Sequence, residues 1–257
     1  MATIHAVPAF KDNYLWVIAE GPRAAVVDPG DSAPIEAFLS KNGLTLDAIL
    51  ATHHHGDHVG GLLALAAHWK CPVWGPAGED IRGVDTRLVE GDRIRVPGID
   101  IELDILDVPG HTAGHIAYVD TAARSFVFCG DTLFACGCGR LFEGTPQQMS
   151  ASLAKLKRLP PEARVYCAHE YTLSNIRFAE AVEPGNAALV ARKARDEATR
   201  ARGEFTVPST IGEELATNPF LRCAEPEIVA SAERHAGRRL AGEVEVFAEI
   251  RAWKNSF

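Results

Sequence analysis

The 257-residue chain is 47% hydrophobic and 23% charged, long enough to bury a sizeable core, so neither a metal nor a disulfide is needed merely to fold it. Its 26 lysines and arginines against 34 aspartates and glutamates leave a formal charge of -8, which argues against a polyanionic partner such as nucleic acid. No basic region precedes an apolar run at the N-terminus, no apolar stretch approaches a membrane span, and six cysteines are too sparse for a secreted disulfide framework; a soluble, unprocessed, cytoplasmic protein with reduced thiols is expected.

In chain order, short apolar runs bounded by turns predict strands over 14–19 and 24–28, then a helix over 33–41 ended by Gly43, and a strand over 48–52. A helix is expected over 61–69, strands over 99–108, 116–120 and 125–129, a helix over 146–158, and a strand over 165–168. That mixture indicates an α/β or α+β core. Past His169 the chain is rich in Ala, Glu and Arg and reads as helices over 172–182, 187–202, 226–235 and 243–254, with breaks at Pro184-Gly185, Gly203 and Gly237. A boundary falls near residue 173, dividing a catalytic unit, 1–173, from a helical unit, 174–257.

The densest chemistry follows the strand at 48–52, in His53-His54-His55-Gly56-Asp57-His58. In an extended segment residues i and i+2 point to one side, so His53 and His55 can converge on one ion while His54 faces away. The turn that follows brings Asp57 and His58 to a helix start, aimed at a second point nearby. Three more candidates, His111, Asp131 and His169, each sit just past a predicted strand, where a layered scaffold focuses polar groups from distant parts of the chain. Five His and two Asp suit two metal ions, and His and Asp donors accommodate zinc, iron and manganese. Single histidines elsewhere, His5, His68 and His235, read as surface or satisfied residues. Cys136 and Cys138 lack a partner pair at zinc-ribbon spacing and read as small loop residues.

His53-His54-His55-Gly56-Asp57-His58 resembles the HxHxDH signature of the metallo-β-lactamase superfamily, and 109–115, 129–132 and 168–172 resemble its later motifs. Phe10-Lys11-Asp12-Asn13-Tyr14, Gly137-Cys138-Gly139-Arg140 and Asn218-Pro219-Phe220-Leu221-Arg222 narrow the resemblance to the glyoxalase II (hydroxyacylglutathione hydrolase) family, over essentially the whole chain. The resemblance implies a metallo-β-lactamase-like αββα sandwich followed by an all-helical, glutathione-thioester-binding domain. It implies one ion on His53, His55 and His111, a second on Asp57, His58 and His169, and Asp131 bridging them. It further implies glutathione against Arg140, Tyr171, Arg251 and Lys254, the last two matching an R-x-x-K pair. Phe142 stands where many relatives have Tyr, and Ala113 where they have Pro.

The implied reaction is hydrolysis of S-D-lactoylglutathione to glutathione and D-lactate, part of methylglyoxal detoxification. Two divalent ions, zinc first with iron or manganese as alternatives, lower the pKa of bound water from about 15.7 to about 7. Hydroxide held between them, beside Asp57 and Asp131, is then the nucleophile and needs no side-chain base. A thiol of pKa about 8.5 leaves as thiolate without a dedicated acid. His115 is surplus to the ligand count and is expected to support a loop or hydrogen bond a ligand. For Arg251 and Lys254 the competing reading is a solvated helix end. Alternatives to the hydrolase are a glutathione persulfide dioxygenase with a single iron, a metal-binding scaffold without turnover, and a nuclease, for which basic surface is missing. A monomer acting on a small molecule, with no nucleic acid or membrane partner, is expected.

Overall fold

The computed structural model describes residues 2–257. It opens with three antiparallel strands, β1 (Thr3–Ala9), β2 (Asn13–Glu20) and β3 (Arg23–Val27). Helix α1 (Ser32–Asn42) crosses to β4 (Thr45–Leu50), parallel to β3, and helices α2 (Gly56–Val59) and α3 (Leu62–Trp69) lead to the parallel strands β5 (Val73–Pro76) and β6 (Thr86–Leu88). The resulting sheet runs β1-β2-β3-β4-β5-β6.

The chain then supplies β7 (Arg93–Arg95), β8 (Glu102–Asp107), β9 (Ile116–Asp120), β10 (Phe126–Gly130), a ribbon of β11 (Leu133–Phe134) and β12 (Gly137–Cys138), helix α4 (Pro146–Leu156) and β13 (Arg164–Cys167). The helical segment follows as α5 (Thr172–Val182), α6 (Ala187–Ala201), a short strand β14 (Ser209–Thr210), α7 (Ile211–Thr217), a 3-10 turn over Pro219–Leu221, α8 (Pro226–Ala236) and α9 (Glu243–Ser256). The second sheet runs β14-β13-β10-β9-β8-β7. Among the described residues no helix is long and apolar enough to cross a membrane.

Strand β2 explains the layering. Trp16 and Ile18 join a core shared with Leu103, Tyr118 and Phe128 of the second sheet, while Leu15 and Val17 pack with Ile35 and Leu39 of α1 and Leu62 and Leu65 of α3. With both faces covered, the strand reads as an unbroken apolar run rather than an alternation. Met149 and Leu153 of α4 and Phe247 of α9 extend the first of these cores. Burying one such aliphatic or aromatic side chain is worth about 1.5–3 kcal/mol. Local signals set helix ends: Asp31 caps α1 by accepting from the Ala33 amide, Gly43 closes it in the left-handed region, and Thr145 with Gln148 forms a capping box on α4.

Several elements differ from the expectation. β1 is a half-exposed edge strand with a Pro inside it, and β5, β6 and β7 are only three or four residues long, so none carries a strand-length pattern. The strand expected over 99–108 starts only at Glu102, because Ile99 and Ile101 belong to a turn closed by the Ile101 amide on the Ile99 carbonyl. The helical segment also returns two residues, β14, to pair antiparallel with β13.

Topology gathers the site. β10 is parallel to β13, and β8 and β10 each lie antiparallel to β9, so the C-terminal ends of β8, β10 and β13 share one edge. The loops leaving those ends carry His111, Asp131 and His169, and the loop after β4 in the other sheet brings residues 53–58 to meet them. Gly30 is required where that loop crosses the chain after β3, since a Cβ there would lie 1.8 Å from the Asp57 carbonyl oxygen. Gly130, at φ 47°, turns the chain toward Asp131 where a Cβ would meet the Thr52 hydroxyl at 2.4 Å.

Candidate metal centre and substrate cleft

His53 Nε2 and His111 Nε2 lie 3.2 and 3.0 Å from His55 Nδ1, forming one cluster of three nitrogens. Asp57 Oδ2 lies 3.7 Å from His58 Nε2 and 3.5 Å from His169 Nε2, forming a second. Asp131 stands between: its Oδ1 is 3.4 Å from both His58 Nε2 and His169 Nε2, and its Oδ2 is 3.4 Å from His111 Nε2. All seven residues singled out from the sequence therefore converge, and His54 is directed elsewhere.

These separations fit metal shells. Donors about 2.0–2.1 Å from a tetrahedral ion are about 3.3 Å apart. His58 Nε2 and Asp131 Oδ1 are buried without a hydrogen-bond partner among the described residues, a costly state unless they face an ion. Burial alone would lower the His58 pKa, yet Asp131, Asp28 and Asp57 push it up to about 9, a sign that the centre favours positive charge. Asp131 is held well below the carboxylate range, against its burial, by His58, His169 and His111.

The far nitrogen of four rings is fixed by partners that the sequence did not reveal. His58 Nδ1 lies 3.0 Å from Asp28 Oδ2, His169 Nδ1 2.8 Å from Asp12 Oδ1, and His111 Nδ1 2.9 Å from the Arg140 carbonyl. The Thr52 hydroxyl donates to Asp28 at 2.7 Å and so accepts from His53 Nδ1 at 3.0 Å. With Nδ1 protonated, each Nε2 presents a lone pair to the centre. Asp28 also accepts the Thr52 amide at 2.7 Å, so although it lies near His53 and His58 its oxygens are engaged by Thr52 and the His58 ring.

The segment over 10–14 earns its place here. Asp12 holds His169, Asn13 donates to Asp57 Oδ2 at 3.0 Å, and Tyr14 donates to Glu170 at 2.7 Å. His115 takes the supporting position expected of it: its Nε2 accepts the Asp131 amide at 3.1 Å and its ring stacks on His53 at 4.5 Å. His54 lies 2.9 Å from buried Glu79 and 3.4 Å from Glu143, while Glu79 also accepts from Thr112 and Glu143 from the Ala113 amide. That clamp ties the loop over 53–58 to the loop carrying His111. His5, His68 and His235 are exposed and paired with Thr3, Glu36 and Glu249, and Cys136 and Cys138 are buried free thiols.

A cleft of about 560 Å³ opens over His111 and Asp131. Tyr171 forms one wall, its ring stacked on His169 at 4.8 Å, and Phe142 another, edge-on to His111 at 5.2 Å and His55 at 5.7 Å. Arg140, Arg251 and Lys254 line it, and so does Arg177, which the sequence reading missed. Tyr171, Ser174 and Arg177 recur at intervals of three along α5, the signal that could have found it. Arg251 is not a solvated helix end: it is 4% exposed, donates to the Cys138 carbonyl at 2.8 Å and lies 5.1 Å over the Phe220 ring. Lys254 lies 5.2 Å over Phe178, and burial together with Arg251 and Arg177 pulls its pKa down to about 8.

The family model of the metallo-β-lactamase superfamily matches residues 11–169, and that of the hydroxyacylglutathione hydrolase C-terminus matches residues 170–257. The hydroxyacylglutathione hydrolase of Cupriavidus taiwanensis is 55% identical with all of both chains covered, and that of Alkalilimnicola ehrlichii is 56% identical with 99% of each covered. Among solved structures, ETHE1 from Myxococcus xanthus superposes with a TM-score of 0.65 at 22% identity, covering 100% of this chain and 99% of its own. The BLEG-1 B3 metallo-β-lactamase does so at 0.64 and 21%, covering 86% and 99%; both share the fold. TTHA1623, solved in a di-iron-bound form, is 27% identical with a TM-score of 0.59 over 85% of this chain and 100% of its own.

Proposed function

This chain belongs to the hydroxyacylglutathione hydrolases of the metallo-β-lactamase superfamily, and we propose that it hydrolyses S-(2-hydroxyacyl)glutathione, S-D-lactoylglutathione above all, to glutathione and the 2-hydroxy acid. The observation that carries this reading is Asp131, whose two oxygens each lie 3.4 Å from a different histidine cluster at the foot of a cation-lined cleft. In this reading His53, His55 and His111 hold one ion, Asp57, His58 and His169 the other, and Asp131 both. Zinc is the first choice, and iron or manganese suits the same donors.

Divalent ions held by these residues would supply a lowered pKa for water and polarisation of the thioester carbonyl. The protein's part is to hold donors and substrate. Asp28, Asp12, Thr52 and the Arg140 carbonyl keep each Nε2 available, and Asp57 and Asp131 contribute the negative charge that lets two cations sit close together. Tyr171 and Phe142 wall the thioester, while Arg140, Arg251 and Lys254 attract the carboxylates of glutathione into a chain of net charge -8. Phe142 offers an apolar edge where a Tyr would offer a hydroxyl, so glutathione is held by the remaining donors. The departing thiolate needs no proton donor.

We assign residues 1–173 to the metal chemistry and 174–257 to substrate recognition, in a cytoplasmic monomer that removes thioesters formed from methylglyoxal. Both clusters carry full donor sets, so nothing favours the single-iron persulfide dioxygenase. The test is thiol release from S-D-lactoylglutathione by purified protein with metals counted in the same sample. Two ions per chain with turnover are expected; a fully loaded protein without thiol release overturns the reading.

A further inference from the structure

The cleft carries more positive charge than its assigned roles use. Arg140, Arg177, Arg251 and Lys254 line it, and among the described residues Asp131 is its only lining acidic side chain. Arg251 is tied to the Cys138 carbonyl and to Asn255, and Lys254 Nζ lies 3.5 Å from the Ser174 carbonyl. Arg177 is exposed and has no ion pair among the described residues. Glu180, the neighbour one turn on that would ordinarily neutralise it, is taken by Lys193 at 2.8 Å.

Its position is also informative. Tyr171 marks the metal end of the cleft through its stack on His169, and Arg177 lies six residues farther along α5, about 9 Å down the helix axis. In an extended glutathione thioester, six bonds separate the sulfur from the glycyl carboxyl carbon and eight from the γ-glutamyl one. At about 1.1–1.2 Å of advance per bond in an extended chain the latter reaches about 9–10 Å.

We propose that Arg177 anchors the γ-glutamyl carboxylate of the substrate, leaving the nearer glycyl carboxylate to Arg251 and Lys254. This assignment rests on the glutathione-thioester reading above. Arg177 is then a specificity-determining residue, distinguishing γ-glutamyl thiols from truncated ones.

The test uses the full-length, metal-loaded protein and two probes. S-methylglutathione, which cannot be hydrolysed, reports binding by calorimetry. S-D-lactoyl-N-acetylcysteinylglycine, in which acetyl replaces the γ-glutamyl group, reports selectivity against S-D-lactoylglutathione. Arg177→Ala is expected to weaken S-methylglutathione binding roughly three- to tenfold, as suits an exposed charge-assisted contact, and Arg177→Lys to recover most of it. KM for S-D-lactoylglutathione should rise by a similar factor and KM for the acetyl analogue should not, so selectivity between them collapses. Unchanged S-methylglutathione affinity, or equal rises in KM for both thioesters, overturns the assignment. Binding that depends on Arg177 without thioester cleavage by the parent protein would support the assignment and refute the hydrolase reading instead.

Discussion

Replacing Asp28 with Asn changes one atom and should disturb both metal clusters. Asp28 Oδ1 accepts the Thr52 amide at 2.7 Å, while Oδ2 accepts both the Thr52 hydroxyl at 2.7 Å and His58 Nδ1 at 3.0 Å. An amide nitrogen in the place of Oδ2 confronts two donors. To accept from it, the Thr52 hydroxyl must turn and donate to His53 Nδ1, and His58 must give up its Nδ1 proton. Both rings are thereby driven to the Nε2–H tautomer, which has no lone pair for an ion. Outer partners of this kind are worth 10- to 100-fold in metal affinity, or about 1.4–2.7 kcal/mol per site. Competition with a chelator, together with a metal count, measures it site by site. Thr52→Val is the control, because it breaks the relay to His53 and leaves the Asp28–His58 contact, so only the first cluster should weaken. Asp28→Asn with two ions bound at parental affinity, or Thr52→Val weakening both sites alike, would refute the relay.

Asp131→Ala removes the carboxylate that faces both clusters and leaves two cations to repel each other unscreened; elemental analysis should find fewer than two ions per chain and activity should be nearly abolished. His54→Ala should keep both ions, unlike His53→Ala or His55→Ala, but it strips a partner from buried Glu79 and should cost about 1–3 kcal/mol in thermal or denaturant unfolding. Lys254, pulled down to about 8, is charged below that pH and neutral above it, so KM for a glutathione thioester should rise with pH through about 8, whereas Lys254→Arg should flatten the rise. The same depression means that the folded chain binds fewer protons than the unfolded chain between about 8 and the usual lysine range, so this group's contribution to stability grows as pH rises through that window. A pH-independent KM from 6.5 to 9.5 would remove Lys254 from the substrate's electrostatics.

The central strands were legible because two-sided burial leaves its mark on sequence: 14–19 and 48–51 are apolar throughout since α1 and α3 cover one face and the second sheet the other. Helices α5, α6, α8 and α9 of the C-terminal segment were legible through composition and through breaks at Gly203 and Gly237, whereas the seven-residue α7 was not. β5, β6, β7 and β14 were not, because two to four residues carry no period that distinguishes strand from turn. Their pairing is imposed by neighbours already in place.

The sequence by itself brought out the candidate donors. Alternation along an extended segment and the turn after it single out His53, His55, Asp57 and His58, while His111, Asp131 and His169, open candidates from their places just past strands, are joined to them by the resemblance of their motifs. Tertiary structure decided what those donors can do. Asp28 reaches His58 across 30 residues and Asp12 reaches His169 across 157, and these contacts select which ring nitrogen is free. Only the folded chain shows that Asp28 orients ligands, that Arg251 is buried against Cys138, and that Arg177 faces the cleft. A donor's identity is written in its own side chain, whereas its tautomer, charge and direction are set by whichever groups the fold packs against it, and no local pattern encodes those.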